Sequence, residues 1–174
     1  RNVVMLTLGT GIGGGLILDD RAFRGATGRG AELGHVVLEY DGPRCHCGGR
    51  GHFEAVAAGP AADRAARGLY GPGATAHDLV RKGQAGEAEA VDALAEIGRR
   101  LGAGIASFMN VFEPEVVVVG GGFSAAGDLL LAPAREVVAR EALPSIRDQA
   151  PIVLAELGRD AGVIGAAMVA LEAL

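Results

Sequence analysis

The segment Leu6-Thr-Leu-Gly-Thr-Gly-Ile-Gly-Gly-Gly-Leu-Ile-Leu18 constrains the fold more than any other stretch. An apolar run, Val3-Val-Met-Leu6, leads into Gly9, Gly11 and Gly14, the G-x-G-x-x-G spelling of a dinucleotide-binding loop. That reading needs a helix to begin at the glycines, because a helix N-terminus holds the pyrophosphate. Here the glycines are followed by Leu16-Ile-Leu18 and the turn-forming pair Asp19-Asp20. Consecutive glycines also start a helix poorly, at about 1 kcal/mol each relative to alanine. The sequence therefore predicts a strand over 3–8, a glycine loop, and a second strand over 16–18. Backbone N–H groups in such a hairpin can cradle an anion, glycine permits positive φ and close approach, and Thr10 can add a hydroxyl. An ordinary glycine-rich turn has the same spelling. A dinucleotide site stays as the alternative that requires helix from Gly13 onward.

At 174 residues the chain has the length of one ordinary domain and can bury a sizeable core. Its 49% hydrophobic and 21% charged content is that of a globular protein. A formal net charge of -5 argues against nucleic acid as a partner. The longest apolar runs, such as 116–122, are too short for a membrane span, and no basic-then-apolar leader opens the chain. No membrane partner and a cytoplasmic location are the resulting expectations. Because Arg1 is followed within two residues by a core-type strand, the chain reads as a piece of a longer protein. Part of any active site is then expected to lie before Arg1.

Further along, 21–34 reads as a structured loop, 36–40 as a short strand and 41–52 as turn-forming. Helices are predicted over 53–67 and about 75–82, separated by Gly71-Pro72-Gly73. The clearest helix spans about 87–112, where Leu94, Ile97, Leu101, Ile105, Phe108 and Phe112 keep a three/four spacing and Pro114 stops it. A strand over 115–119, a turn at Gly120-Gly-Gly122, a helix over 127–141, a strand over 152–154 and a closing helix over 162–174 follow. Alternating strands and helices predict an α/β fold, and the antiparallel front hairpin makes the sheet mixed.

His35, Cys45, Cys47 and His52 are spaced by ten, two and five residues. Two thiolates and two imidazoles suffice for a tetrahedral, structural Zn²⁺. A disulfide between Cys45 and Cys47 would close a very small ring, so metal binding or free thiols fit better. His46 is an alternative ligand to His52, and His77 reads as a surface residue. Glu32 and Glu54 flank this loop. Carboxylates and a neutral imidazole can pair with the vicinal hydroxyls of a sugar, although isolated glutamates are more often surface charges.

Taken together, Leu-Gly-Thr-Gly-Ile-Gly-Gly-Gly (8–15), Gly-Ala-Glu-Leu-Gly-His (30–35), Cys-His-Cys-Gly-Gly-Arg-Gly-His-Phe-Glu (45–54) and Val-Val-Val-Val-Gly-Gly-Gly (116–122) resemble the ROK family. Its members are bacterial sugar kinases, glucokinases among them, and related sugar-responsive repressors. The resemblance runs over essentially the whole chain, with the motifs in family order, and is to the C-terminal half of such a protein. It implies an actin-like, ribonuclease-H-like ATPase fold, with the sugar and metal loop inserted at about 30–56. ATP, Mg²⁺ and a structural Zn²⁺ are the implied cofactors, and a hexose, first of all glucose, the implied substrate. By the same resemblance Gly9, Thr10 and Gly11 match the second phosphate loop, and Gly120, Gly121 and Gly122 lie near the adenosine. Glu32, His35 and Glu54 match the sugar-binding positions. His35, Cys45 and Cys47 match zinc ligands, with His52 where the family usually has cysteine. The general base and the first phosphate loop belong to an N-terminal domain that this chain does not contain. Alone, the chain is expected not to turn over; a homodimer is expected of the parent.

Overall fold

The structure, a computed structural model, describes residues 1–171. Strand β1 (Val3–Leu8) pairs antiparallel with β2 (Ile12–Leu18), with Leu8 opposite Ile12 and Leu6 opposite Gly14. The hairpin is as expected, but its turn is shorter, because Gly13, Gly14 and Gly15 lie inside β2. Glycine is needed there for what lies over the strand: a Cβ at Gly14 would strike the Ala31 carbonyl and Leu33. No helix starts at Gly13, which excludes the dinucleotide reading.

The remaining strands are β3 (Arg21–Ala22), β4 (Val116–Gly120) and β5 (Ile152–Leu154), in the order β3-β2-β1-β4-β5. β2 is antiparallel to β1 and β3, whereas β1/β4 and β4/β5 are parallel. The sheet is mixed, and its parallel strands all deliver their C-terminal ends to the edge that carries the glycine turns. Period-two alternation buries Val4, Leu6, Leu8, Val117 and Val119 against the helices.

Seven helices complete the described chain: α1 (Phe53–Ala57), α2 (Gly59–Tyr70), α3 (Ala76–Gln84), α4 (Ala88–Phe112), α5 (Asp128–Glu141), α6 (Pro144–Arg147) and α7 (Ala161–Leu171). The buried stripe of α4 contains Leu94, Ile97, Leu101, Ile105 and Phe108, as its spacing predicts. Gly98 and Gly102 bring α5 to backbone distance, since a Cβ there would strike the Leu130 and Ala134 carbonyls. α4 ends in left-handed Glu113 (φ 44°), just before Pro114.

The stretch read as a loop over 21–34 opens with the short strand β3, and further sequence expectations change. The strand over 36–40 is absent: a 3₁₀ turn (Leu33–His35) is followed by turns and a single bridge, Val37 to His52. With no neighbouring strand, the N–H groups of Leu38 and Glu39 both donate to the Gly51 carbonyl instead. The helix over 53–67 is two helices, broken at extended Ala58 (φ -135°, ψ -162°). Pro60 has no N–H to give, and Gly59 N–H leaves the helical ladder to donate to the Gly9 carbonyl at 3.0 Å. The closing helix begins at Ala161; 172–174 lie outside the described residues. No side chain of α7 is buried, although the helix is apolar all round.

Gly121 (φ 87°, ψ 166°) sits in a region open essentially only to glycine, and a Cβ there would overlap the Leu8 backbone. Gly121→Ala is therefore expected to cost about 1–3 kcal/mol in chemical denaturation. An unchanged midpoint would show that the β4 turn relaxes freely.

Candidate functional site

The turn between β1 and β2 is Gly9-Thr10-Gly11. Gly9 N–H donates to the Gly11 carbonyl at 2.9 Å. Among the described residues, no protein acceptor takes the N–H of Thr10 or of Gly11. Neither Gly9 nor Gly11 has positive φ, so the turn uses glycine for close approach rather than for handedness. At Gly9 nothing lies within 4 Å of where a Cβ would stand; at Gly11 a Cβ would strike Glu54. Two free N–H donors beside open space form an anion cradle.

This turn borders a cleft of about 700 Å³. Its apolar lining comes from Pro60 of α2, Val80 of α3, and Phe123 and Ala125 of the 3₁₀ turn after β4. Its polar lining includes Arg44, His46 and Glu54. Gly9 and Thr10 line its wall. A second hollow of about 320 Å³ joins Gly9, Thr10 and Gly11 to Glu54, Gly121 and Gly122. Gly122 borders both spaces, whereas Gly120 closes β4 with Met5 and Ala155 on its side-chain side.

Three cleft residues were not foreseen. Arg64 and Arg67 share a face of α2 with Pro60 and Asp63, a 60/63/64/67 helical spacing that was the available signal. His77 is exposed, as expected, yet it lines the cleft from the first turn of α3. That helix is held in place by Asp63, which accepts the Ala76 N–H at 2.7 Å, and by a Thr75/Asp78 capping box. The Arg64 guanidinium donates to the Ala55 carbonyl; burial, then the nearby Arg100 charge, lower its pKa.

The structure brings His35, Cys45, Cys47 and His52 together, with ligand atoms all within 4.8 Å of one another. His52 belongs to this cluster, and His46 stands outside it, exposed. Cys47 Sγ lies 3.2 Å from His52 Nδ1. Tetrahedral zinc would set such atoms about 3.5 Å apart, given the usual zinc–sulfur and zinc–nitrogen bond lengths. His35 Nδ1 is buried with no hydrogen-bond partner; Glu32 Oε2 lies 3.4 Å away without the geometry of a bond. An orphaned imidazole nitrogen beside two thiols and a second imidazole fits a zinc site. Burial, then the hydrogen bond to Glu54, push the Cys45 thiol up to about 12. A coordinated divalent cation would reverse this by taking the thiolate.

The three expected sugar contacts also converge. The His35 ring stands between Glu32 and Glu54, with Nε2 3.9 Å from Glu54 Oε1. Glu32 is exposed and Glu54 largely covered. Two carboxylates around one imidazole form a set that can accept from and donate to adjacent hydroxyls.

A mixed sheet with helices packed over it and a glycine hairpin turn at a cleft edge defines a domain of the actin-like ATPase class. Within that class the chain belongs to the ROK family, which it matches over residues 1–173. It is 39% identical over 188 residues to a glucokinase of Thermotoga maritima, covering 98% of this chain and 58% of that protein. It is similar, at 35% identity and a TM-score of 0.85, to a crystal structure of a ROK family glucokinase from Streptomyces griseus in complex with glucose and AMPPNP. That match covers 97% of this chain and 60% of the other. A xylose repressor of Bacillus spizizenii is 25% identical over 172 residues, covering 99% of this chain and 44% of the repressor. The chain thus spans less than two thirds of the length of these relatives. Among the described residues, no helix is long and apolar enough to cross a membrane.

Proposed function

We propose that the chain is the C-terminal domain of a sugar kinase that transfers the γ-phosphoryl group of ATP to a hexose, with glucose, giving glucose 6-phosphate, as the first candidate. The observation that carries this reading is the free pair of N–H groups at Thr10 and Gly11, in a turn that lines a cleft holding both apolar side chains (Val80, Phe123) and the Glu54 carboxylate. An adenine suits the apolar side chains Val80 and Phe123, with Gly122 of the cleft lining and Gly121 beside it under the adenosine, while Gly120 acts through β4, which it closes. In the Gly9-Thr10-Gly11 turn, the Thr10 and Gly11 N–H groups hold phosphate oxygens by backbone donation, and Gly9, whose N–H is spent on the Gly11 carbonyl, shapes the turn. Glu32, His35 and Glu54 orient the sugar so that one hydroxyl faces the γ-phosphoryl group.

A hydroxyl attacking a phosphoryl group needs a carboxylate to accept its proton and Mg²⁺ to neutralise the developing charge. The base belongs to an N-terminal domain, which this reading also requires for the second jaw of the nucleotide clamp. A zinc ion held by His35, Cys45, Cys47 and His52 supplies cross-links that fix the sugar loop. The parent is placed in the cytoplasm as a homodimer, with no nucleic-acid or membrane partner.

The second reading, the sugar-sensing domain of a ROK repressor, is favoured by the likeness to the xylose repressor. An upstream phosphate loop with an Asn-Asp motif would support the kinase, and an upstream winged helix-turn-helix the repressor. The decisive experiment compares the purified 174-residue chain with its two-domain parent. The parent is expected to phosphorylate glucose with ATP and the chain alone to show no turnover. Phosphorylation by the isolated chain would sink the assignment of the base, and an inactive parent would sink the kinase.

A further inference from the structure

The carboxylate of Glu54 serves two places at once. Its Oε1 accepts from Cys45 Sγ at 2.8 Å and faces His35. Its Oε2 accepts the N–H of Ile12, the residue that leaves the glycine turn, at 3.3 Å. The side chain is 13% exposed, so the bond forms with little competition from water. Among the described residues, no other side chain hydrogen-bonds to the backbone of residues 9–12.

The surrounding packing fits a clamp. A Cβ at Gly11 would stand where Glu54 Oε2 does and push that flexible carboxylate aside. Gly34 lies against the Ile12 carbonyl, where a Cβ would collide, and Gly59 N–H binds the Gly9 carbonyl. The peptide between Gly11 and Ile12 is therefore held at both ends. Its carbonyl takes Gly9 N–H and its N–H goes to Glu54, which leaves the Thr10 and Gly11 donors free.

We infer that Glu54 is a positioning residue for the nucleotide phosphates in addition to its place at the sugar, so that one carboxylate couples the two halves of the site. This rests on the cleft being the nucleotide site. Without the Glu54 contact the turn is free to rotate its donors away, and phosphate affinity falls before any sugar is present. Sugar binding and nucleotide binding are then linked in both directions, as reciprocity requires.

The test is titration calorimetry of AMPPNP into the two-domain parent without sugar, for wild type, Glu54→Ala, Glu54→Gln and Gly11→Ala. Glu54→Ala is expected to raise Kd roughly tenfold or more, the usual consequence of losing a bond to a charged acceptor. Gly11→Ala, which displaces Oε2 from the opposite side, is expected to do the same. Glu54→Gln retains an oxygen acceptor and is expected to recover most of the affinity. In an amide NMR spectrum the Ile12 resonance should move in Glu54→Ala and stay near its wild-type place in Glu54→Gln. Equal affinity in wild type and Glu54→Ala overturns the inference, as does a Glu54→Gln as weak as Glu54→Ala. If Glu54→Ala does not fold, Gly11→Ala decides the same point. No binding by wild type overturns the nucleotide reading of the cleft and this inference with it; the other failures overturn the inference alone.

Discussion

Chelating the metal that the His35, Cys45, Cys47 and His52 cluster is proposed to hold is expected to release about one zinc ion per chain and to lower the melting temperature by roughly 8–16 °C. The estimate follows from mass action: a ligand at a thousand times its Kd stabilises the folded form by about 4.1 kcal/mol. For a domain of about 150–250 residues, each kcal/mol shifts the midpoint by roughly 2–4 °C. The effect is large because residues 36–52 form no helix or named strand and hold together mainly by turn and loop hydrogen bonds. Val36, Val37 and Tyr40 are exposed, Tyr40 at 97%. Their ladder contacts reduce to the bridges Val37 to His52 and Arg44 to Arg50. Cys47→Ser, which removes an exposed thiolate and no core contact, should reproduce the loss and cut bound zinc. Metal analysis near zero for the gently purified protein, with a melting temperature indifferent to chelator, would dispose of the site.

Phe53→Ala is expected to cost about 3–5 kcal/mol, against a total stability of about 5–15 kcal/mol for ordinary domains. The ring is completely buried, packs edge-on against Phe108 at 5.7 Å between centroids, and fills the space that Gly104 leaves on α4. Its neighbours in sequence are His52 and Glu54, so this one side chain anchors the proposed metal loop and the proposed sugar carboxylate to the core. Sugar affinity in the parent should fall with stability, and Phe53→Leu should recover most of both. Urea denaturation measures the first effect, and a loss under 1 kcal/mol would show that the core collapses around the gap.

What sequence alone could tell about this site followed from periodicity and ligand chemistry. The stripe of α4 was legible because its apolar residues repeat at helical spacing and Pro114 ends them. The hairpin was legible because Leu16 to Leu18 follow the glycines where a helix would have been needed. The cluster of His35 with Cys45, Cys47 and His52 was legible from residue type, although its choice of His52 over His46 needed geometry. The strand expected at 36–40 failed because an apolar run says nothing about whether a partner strand lies beside it. The break at Ala58 was hidden for a related reason: Gly59 gives its N–H to Gly9, fifty residues away in sequence. Arg64 and Arg67 share a helical face by their spacing, but that this face, and His77 of α3, turn to the cleft follows from the docking of α2 and α3, a tertiary event.

The two notches at Gly98 and Gly102 have a mechanical consequence. With carbonyls of α5 resting where side chains would stand, α4 and α5 have no soft layer between them across which to slide. The same α4 receives Phe53 at Gly104, directly before the residue that grips the glycine turn. The helical floor, the cysteine–histidine loop and the glycine turn are thus bolted into one anvil. Closing around a substrate would fall to whatever element faces it.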